Sequence, residues 1–353
     1  MDTIVFPIDS GGMKYDVTIG IPVYNVEPYI TQSLESALAQ TYPSIEFLLV
    51  DDASDDSSAD IVRSFQVNHP RGADIRLFSN PNNLGVSATR NRIIEEARGE
   101  YLYFMDADDV ITENAISLLM HQLQLYQAEI AFGSYEKTET SGLKTIYQYP
   151  EIQLFEEDSL ANFSYRKFGG IQASACNYLV KLSVLREHHL RFVDVNYWED
   201  LVFTFDLVTY IHRAVLTSQI TYYYQCRENS LSNYQARQEI SKDEILNNVK
   251  AIDVLKTNTQ RYSCKPYYPK RCYVVVMTYF YMVCNILKRG KDVQPPFTYK
   301  EIRSLMSHPA TFKEICSFQH ARFKNLLLFL IGKLPSFLCV ETVRCLGKMK
   351  KLI

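Results

Sequence analysis

The sequence lacks several features that would place it in a specialised class of protein. None of its eight cysteines forms a CxxC pair, and no histidine lies at a zinc-like spacing from them, so we predict buried free thiols. The net charge of −3 gives no sign of nucleic-acid binding. Segment 1–12 has neither a positive region nor an apolar core, so we predict no signal peptide and a cytoplasmic protein.

Long apolar runs are also missing. The apolar stretch 272–287 is shorter than the roughly 20 residues that span a bilayer, so we predict a buried helix there. Residues 321–353 hold seven basic residues and one acid around the apolar stretch 325–340. Such a segment either contacts an anionic membrane surface, on the inner face of the cell membrane, or packs on its own protein with solvated lysines. Both interpretations stay open.

The sequence does contain a regular alternation of strand and helix patterns up to about residue 134. Strands are predicted at 17–22, 45–50, 75–78, 101–105 and 129–133, and helices at 29–40, 57–65, 85–97 and 113–126. Such alternation predicts an α/β fold with a mostly parallel sheet, helices on both faces and ligands at the carboxyl ends of the strands.

The rest of the chain follows a different pattern. Residues 135–225 are less regular, and from 241 onward the pattern is helical. Strand patterns lie at 175–180 and 220–224, and helix patterns at 157–167 and 201–212. We therefore predict one large domain over 1–235 and a separate helical region over 236–353.

Three clusters of carboxylates carry the chemistry of this sequence. They are Asp51, Asp52, Asp55 and Asp56 after one strand, Asp106, Asp108 and Asp109 after another, and Glu199 with Asp200. Like charges repel, and a Mg²⁺ or Mn²⁺ ion would relieve that repulsion by binding one or two carboxylates and the phosphates of a nucleotide diphosphate. The alternative is that these residues only cap helices, since Asp and Ser are favoured N-caps.

Five segments resemble, in the same order, motifs of family-two glycosyltransferases with the GT-A fold. They are TIGIPVYN (18–25), SLESALAQTY (33–42), LVDDASDDS (49–57), NLGVSATRN (83–91) and GEYLYFMDADD (99–109). The resemblance covers about residues 17–230. It implies a GT-A catalytic domain over 1–235, and it leaves the helical region over 236–353 outside.

The resemblance implies a nucleotide site built from the first strand ends. Pro22 and Tyr24 would lie beneath the base, and Glu27 and Asp52 would approach the base and ribose. Asp52 would accept a hydrogen bond from the imide of uracil, so Asp52→Asn is expected to weaken UDP binding with little loss of stability. Arg90 would contact the nucleotide.

The resemblance also implies roles for the later acidic clusters. Asp106 would lie near the ribose, and Asp108 would ligate the Mn²⁺ or Mg²⁺ ion that bridges the diphosphate. Asp200 would be the general base, held ionised by a helix N-terminus, unless it is only a helix cap, in which case Glu199 is the next candidate. Arg227 either clamps a diphosphate oxygen or forms a salt bridge within the protein.

These expectations together predict an inverting transferase. It would move a hexose from a UDP-sugar to a hydroxyl of a glycan or lipid-linked acceptor in bacterial surface polysaccharide synthesis. Processive family members carry a Gln-x-x-Arg-Trp motif and several membrane spans, and the only tryptophan here is Trp198, so a single addition is expected. No GxGxxG follows the first strand, which argues against a dehydrogenase. A catalytically inactive nucleotide-binding protein remains the alternative.

Overall fold

The computed structural model of the protein describes residues 15–165, 170–195, 197–227, 240–290 and 292–353. The prediction of no signal peptide in 1–12 lies outside these residues. So does the boundary predicted at 235/236, which stays a prediction.

The first part of the chain alternates strands and helices as predicted, and the bounds differ only at the ends. Its elements are β1 (Tyr15–Val23), α1 (Glu27–Leu38), β2 (Ile45–Asp51), α2 (Ser58–Asn68), β3 (Ile75–Ser79), α3 (Val86–Glu96), β4 (Gly99–Phe104), β5 (Val110–Ile111) and α4 (Ala115–Tyr126). Because α4 begins at Ala115, the alternative that Asp108 and Asp109 begin a helix is wrong.

The middle of the chain adds strands to the same sheet. Its elements are β6 (Ile130–Thr138), β7 (Lys144–Tyr147), β8 (Ile152–Leu154), α5 (Ser159–Ser164), β9 (Tyr178–Lys181), α6 (Leu182–Glu187), α7 (Glu199–Leu207) and β10 (Ala214–Gln225). The strand predicted at 220–224 is longer than expected because its first residues also pair with β6 and β8. The helix predicted at 201–212 is observed as α7, which begins at Glu199 and ends at Leu207.

The last part of the chain is mainly helical, as predicted. Its elements are β11 (Ile240–Ser241), α8 (Lys242–Thr259), α9 (Tyr268–Lys288), β12 (Val293–Gln294), α10 (Tyr299–Leu305), α11 (Phe312–Ser317), α12 (Arg322–Lys333) and α13 (Ser336–Met349). Helix α9 contains the apolar stretch predicted to be buried, and its apolar residues lie in the core. Among the described residues, no helix is both long and apolar enough to cross a bilayer.

The main sheet has the strand order β3-β2-β1-β4-β9-β6-β10-β5, with β7 added beside β6 and β8 beside β10. Strands β1 to β4 are parallel, and β9 lies antiparallel between β4 and β6. All seven residues of β2 are buried, because helices cover both faces of the parallel strands. The carboxyl ends of β1, β2 and β4 therefore meet at one edge, where the acidic clusters follow.

The described helices after residue 240 pack directly on the α/β part. Arg271 of α9 is fully buried and donates to the carboxylate of Asp206 at 2.5 Å and to the carbonyl of Phe205 at 2.7 Å. A buried cation is stable only when it is paired and hydrogen-bonded, so this contact joins α9 tightly to α7. All eight cysteines are free thiols, as predicted, but only four of them are buried; Cys264, Cys316 and Cys345 are exposed, so the prediction of burial is wrong for these.

Candidate active site

A cleft of about 930 Å³ opens along the carboxyl ends of the sheet. It is within the size range of small-molecule sites. The carboxylates that line it are Asp52, Asp106, Asp108, Asp109, Glu199 and Asp200, and the cationic side chains are Arg90, Lys137 and Arg227. The cleft therefore has more acids than bases, which suits a ligand that brings a cation.

One end of the cleft is formed by Pro22, near the end of β1, and by Tyr24 in the turn that follows. Tyr24 is 47% exposed, so its ring is available to a ligand. The turn is held by the acidic segment after β2, because Asn25 N–H donates to Ser54 Oγ at 3.1 Å and Glu27 N–H donates to Asp56 at 2.9 Å.

Glu27 does not line the cleft. Its carboxylate accepts from Ser57 N–H at 3.0 Å, next to the start of α2. The family resemblance placed Glu27 near the base. In the structure, its carboxylate instead joins the turn after β1 to the turn before α2.

Asp52 lines the same end of the cleft, but its carboxylate is already hydrogen-bonded. It is 3% exposed and accepts from Asn80 Nδ2 at 2.7 Å, Leu84 N–H at 2.9 Å and Gly85 N–H at 2.8 Å. Gly85 has a φ of 87°, a conformation that side-chain-bearing residues rarely adopt, and it starts α3. Asp52 therefore holds the loop before α3 whether or not it also contacts a base.

Arg90 of α3 joins two acidic clusters. It donates to Asp106 at 2.9 Å and to Glu199 at 2.8 Å, and it is 6% exposed. Burial alone would lower the pKa of Arg90, but the two carboxylates outweigh burial and raise it. Helix α3 can approach β1 this closely because Gly20 has no side chain: a Cβ there would lie 2.3 Å from Ile93 Cγ2.

The segment after β4 is held by Tyr222 of β10. Tyr222 Oη donates to the Asp109 carboxylate at 2.6 Å and accepts from Asp106 N–H at 3.2 Å. Asp109 also accepts from Gln225 N–H at 2.8 Å. Burial, Asp106 and Asp108 raise the pKa of Asp109 well above its usual range. Asp109 is therefore a structural acid that positions the two aspartates before it.

Asp108 faces the cleft and pairs with Arg227, whose guanidinium Nε donates to its carboxylate. Burial and Asp106 raise the pKa of Asp108, and Arg227 offsets part of this rise. Arg227 also lies 4.8 Å from the centre of the Tyr29 ring. The salt bridge within the protein, one of the two alternatives for Arg227, is present, and Arg227 still lines the cleft.

Asp200 is the second residue of α7, after the N-cap Trp198. The cap interpretation of Asp200 is therefore wrong. Within the described part of the chain, the partner of its carboxylate is the N–H of the neighbouring Leu201, at 2.7 Å. Burial and then Glu199 raise the pKa of Asp200 to about 8, and Arg90 and the Leu201 bond offset part of the rise. The sequence suggested that the helix N-terminus would hold Asp200 ionised. Burial beside Glu199 has the larger effect, however, and raises its pKa instead.

The donor set fits a divalent cation that is shared with a ligand. Among the described residues, no cluster of three or more acidic, histidine or cysteine side chains forms a protein-only cage. The Asp108 carboxylate lies in a cleft with excess negative charge, and burial near Asp106 makes its ionised form costly. Magnesium and manganese sites commonly combine one or two carboxylates with substrate phosphates, which matches this arrangement.

The sequence alone did not identify several residues that shape this site. Tyr222 lies in the strand predicted at 220–224 but had no predicted role. Alternate residues of a strand share a face, so Tyr222 and Tyr224 could have been paired by this rule. The bonds of Asp52 to Asn80 and Gly85 had no signal in the sequence, because they depend on two separate loops meeting.

A family model for glycosyl transferase family 2 matches residues 18–179, which contain β1 to β4 and all four aspartates from Asp52 to Asp109 that line the cleft. Residues 18–179, a little under half of the chain, are therefore similar to family 2 glycosyltransferases. Among relatives, glycosyltransferase GlyG of Streptococcus pneumoniae is 34% identical over 145 residues, which are 41% of this chain and 47% of GlyG. The chain thus spans about half the length of that relative.

Solved structures confirm the GT-A fold predicted for this chain. The Staphylococcus aureus TarS 1–349 complex with UDP-GlcNAc has a TM-score of 0.56 at 18% identity and covers 90% of each chain. The mannosyltransferase PcManGT of Pyrobaculum calidifontis, in complex with GDP-Man and Mn²⁺, has a TM-score of 0.53 at 15% identity and covers 95% of this chain and 87% of that one. These likenesses extend over the helices after residue 240.

Proposed function

We propose that this protein is an inverting glycosyltransferase that moves a hexose from a UDP-sugar to a hydroxyl of a glycan or lipid-linked acceptor. The single observation that carries the proposal is the Arg90 bridge. It places Asp106, which precedes the proposed metal ligand, and Glu199, which precedes the proposed base, within hydrogen-bond distance of one guanidinium. Residues for donor binding and for proton transfer thus lie in one cleft.

The donor would lie with its base at the turn after β1. The Tyr24 ring offers a surface for stacking on a base, and Asp52 holds the adjacent loop. Asp106 would lie near the ribose, and Asp108 would hold Mn²⁺ or Mg²⁺ with the diphosphate; such an ion supplies charge stabilisation to the leaving group. Arg227, which pairs with Asp108, is close enough to share that task. The UDP-GlcNAc, GDP-Man and Mn²⁺ of the solved neighbours support this assignment.

The transfer itself needs a base on the acceptor side. The acceptor hydroxyl oxygen attacks the anomeric carbon while the bond from that carbon to the diphosphate oxygen breaks. Asp200 would take the hydroxyl proton, and the nucleoside diphosphate would leave with the electron pair of the broken bond. The raised pKa of Asp200 suits a base that works near neutral pH. Attack from the face opposite the leaving group inverts the anomeric centre.

The same proposal includes contact with an anionic membrane surface through α12. Phe323, Leu327 and Leu330 are spaced at i, i+4 and i+7, so they share one side of the helix, and they are 77%, 45% and 49% exposed. Exposed lysines such as Lys333 occur in the same helix, and this part of the chain is strongly basic. Apolar residues flanked by basic ones favour an anionic bilayer surface over neutral protein surfaces.

A screen of sugar nucleotides tests the function. The protein with Mn²⁺ should release UDP from at least one UDP-sugar, and Asp108→Ala should abolish this hydrolysis. Binding of UDP without hydrolysis or transfer of any sugar would instead support the inactive binding protein. The anomeric configuration of a transfer product, read by NMR coupling constants, would decide between inversion and retention.

A further inference from the structure

The far end of the cleft, away from the turn after β1, is a sheet face covered with tyrosines. Tyr147 of β7 lies opposite Tyr135 of β6, and Tyr135 lies opposite Tyr222 of β10. Residues directly opposite each other on neighbouring strands point to the same face of a sheet. Two residue pairs further along, Lys137 lies opposite Tyr224, and it is also on this face. All five side chains line the cleft.

The rings of this tyrosine face are ordered by contact with each other. Tyr135 and Tyr147 are stacked, with ring centres 4.7 Å apart and planes at 11°. Lys137 Nζ lies 5.8 Å from the centre of the Tyr224 ring. These contacts fix the orientation of the rings, and Tyr135, Tyr147 and Tyr224 remain partly exposed beside the cleft.

The tyrosine face continues directly into the reacting centre. Tyr222 belongs to it through its ring, while its hydroxyl holds Asp109 and the backbone of Asp106. The nucleotide end of the cleft lies on the other side of these aspartates, at the turn after β1. A molecule on the tyrosine face would therefore approach the donor from the side that the nucleotide does not use.

The chemistry of the face indicates which molecule that is. The face of a pyranose ring presents C–H groups of partial positive charge, and these pack well on the negative face of an aromatic ring. A phosphate-rich chain would instead require free cations. The cation of this face, Lys137, is already paired with Glu139 at 2.8 Å. The face thus offers stacking surfaces with little net positive charge.

We propose that the tyrosine face is the acceptor subsite and that it binds a saccharide ring by stacking, with Tyr147 and Tyr135 as its platform. This assignment rests on the proposed function and names the class of its acceptor. A sugar at this position carries the hydroxyl group that Asp200 deprotonates.

The test compares the truncation of a side chain on each of the two faces of strand β7. Tyr147→Ala removes a ring from the cleft, and Tyr147→Phe keeps the ring without its hydroxyl. Ile146→Ala is the matched control, since Ile146 is 55% exposed on the opposite side of β7 and does not line the cleft. The probes are a panel of p-nitrophenyl glycosides as acceptors and, in a parallel arm, ribitol 5-phosphate.

We expect Tyr147→Ala to change two quantities by different factors. The factor by which it raises the KM for a glycoside acceptor should be about tenfold larger than the factor by which it changes the rate of donor hydrolysis. A tenfold difference corresponds to the loss of about 1.4 kcal/mol of stacking. Tyr147→Phe and Ile146→Ala should keep the wild-type KM. Equal losses in acceptor KM and donor hydrolysis would overturn the assignment, because the face would then serve the donor. Transfer to ribitol 5-phosphate but to no glycoside would overturn the saccharide class.

Binding separates this inference from the proposed function. Trp198, the only tryptophan, lines the cleft and reports ligand binding by its fluorescence. If no donor is hydrolysed, the proposed function fails, and glycoside titrations of wild type and Tyr147→Ala still test the subsite. The subsite assignment would be overturned if wild type did not bind the glycosides, or if Tyr147→Ala bound them with the wild-type affinity.

Discussion

The pH dependence of the reaction offers a direct test of Asp200 as the base. Only the ionised carboxylate accepts a proton, and the pKa of Asp200 is raised to about 8 by burial and by Glu199. About 1% of such a group is ionised at pH 6 and about half at pH 8. The value of kcat/KM for donor hydrolysis should therefore rise about 50-fold between these two pH values, because kcat/KM reports ionisations of the free enzyme.

Two variants decide whether this rise belongs to Asp200. Asp200→Asn keeps the oxygen that accepts from Leu201 N–H, so it should fold normally while transferring at least about 100-fold more slowly and without the rise. Glu199→Gln removes a negative charge beside Asp200, so the rise should remain but move to lower pH. Stopped assays of UDP release in overlapping buffers, with constant Mn²⁺ and salt, measure both effects.

Stability gives an independent check with a defined sign. A carboxylate whose pKa is higher in the folded than in the unfolded state stabilises the fold at low pH, and this contribution is lost as the pH rises from about 4 through 8. Urea denaturation should show wild type losing stability relative to Asp200→Asn between pH 6 and pH 9. A rate that is flat between pH 6 and 8, or a rise that persists in Asp200→Asn and vanishes in Glu199→Gln, would refute Asp200 as the base.

Three further predictions follow from the cleft and from α12. UDP should bind more tightly with Mn²⁺ than with EDTA by calorimetry, and Asp108→Ala should remove the difference; equal affinities in wild type would exclude the metal role. Asp52→Asn should lower the free energy of unfolding by about 2 kcal/mol, because an amide cannot accept all three hydrogen bonds of the carboxylate. Unchanged urea denaturation would contradict this. Leu327→Ser with Leu330→Ser should reduce sedimentation with anionic liposomes at low salt, whereas Val67→Ser, an exposed control on α2, should not; equal sedimentation would exclude the α12 stripe.

Two of these predictions differ from what the sequence suggested, and the reasons are physical. The sequence offered Asp52→Asn as a substitution with little effect on stability, but the hydrogen bonds from Leu84 and Gly85 N–H make Asp52 part of the fold. The test of membrane contact uses substitutions on α12 instead of a truncation near residue 320, which the basic composition of 321–353 alone would suggest. Because Leu328, Ile331 and Val340 are buried, truncation would also expose part of the core.

The α/β alternation could be predicted because each of its early elements is local and strongly patterned. The fully buried β2 is a continuous apolar run, and the buried residues of α1 recur at helical spacing. The position of β9 between β4 and β6 could not be predicted, because it depends on pairing between strands far apart in the chain. The length of β10 was missed for the same reason.

The site residues show the same division between local pattern and distant contact. The aspartates after β2 and β4 could be found from their position at strand ends, where ligands bind in open α/β sheets. Their individual roles could not, since Asp52 bonds to a loop about 30 residues later and Asp109 bonds to Tyr222. Glu27 illustrates the opposite error: a residue in a recognised motif whose side chain bonds to a neighbouring turn instead of facing the cleft.

The charges of the cleft bear on how a donor and its metal would bind. Burial and neighbouring carboxylates raise the pKa values of Asp108 and Asp109, and the pKa of Asp200 is raised to about 8, so ionising these acids in the cleft is costly. Arg90 and Arg227 each neutralise part of the negative charge, and Arg227 does so on the carboxylate that would hold the metal. A cation held by Asp108 would lower the cost of ionising this carboxylate, and Arg227 would then be able to contact the phosphates. We therefore expect donor binding and the ionisation of the cleft to be coupled, so a donor without its metal should bind weakly even where every protein contact to the nucleotide is intact.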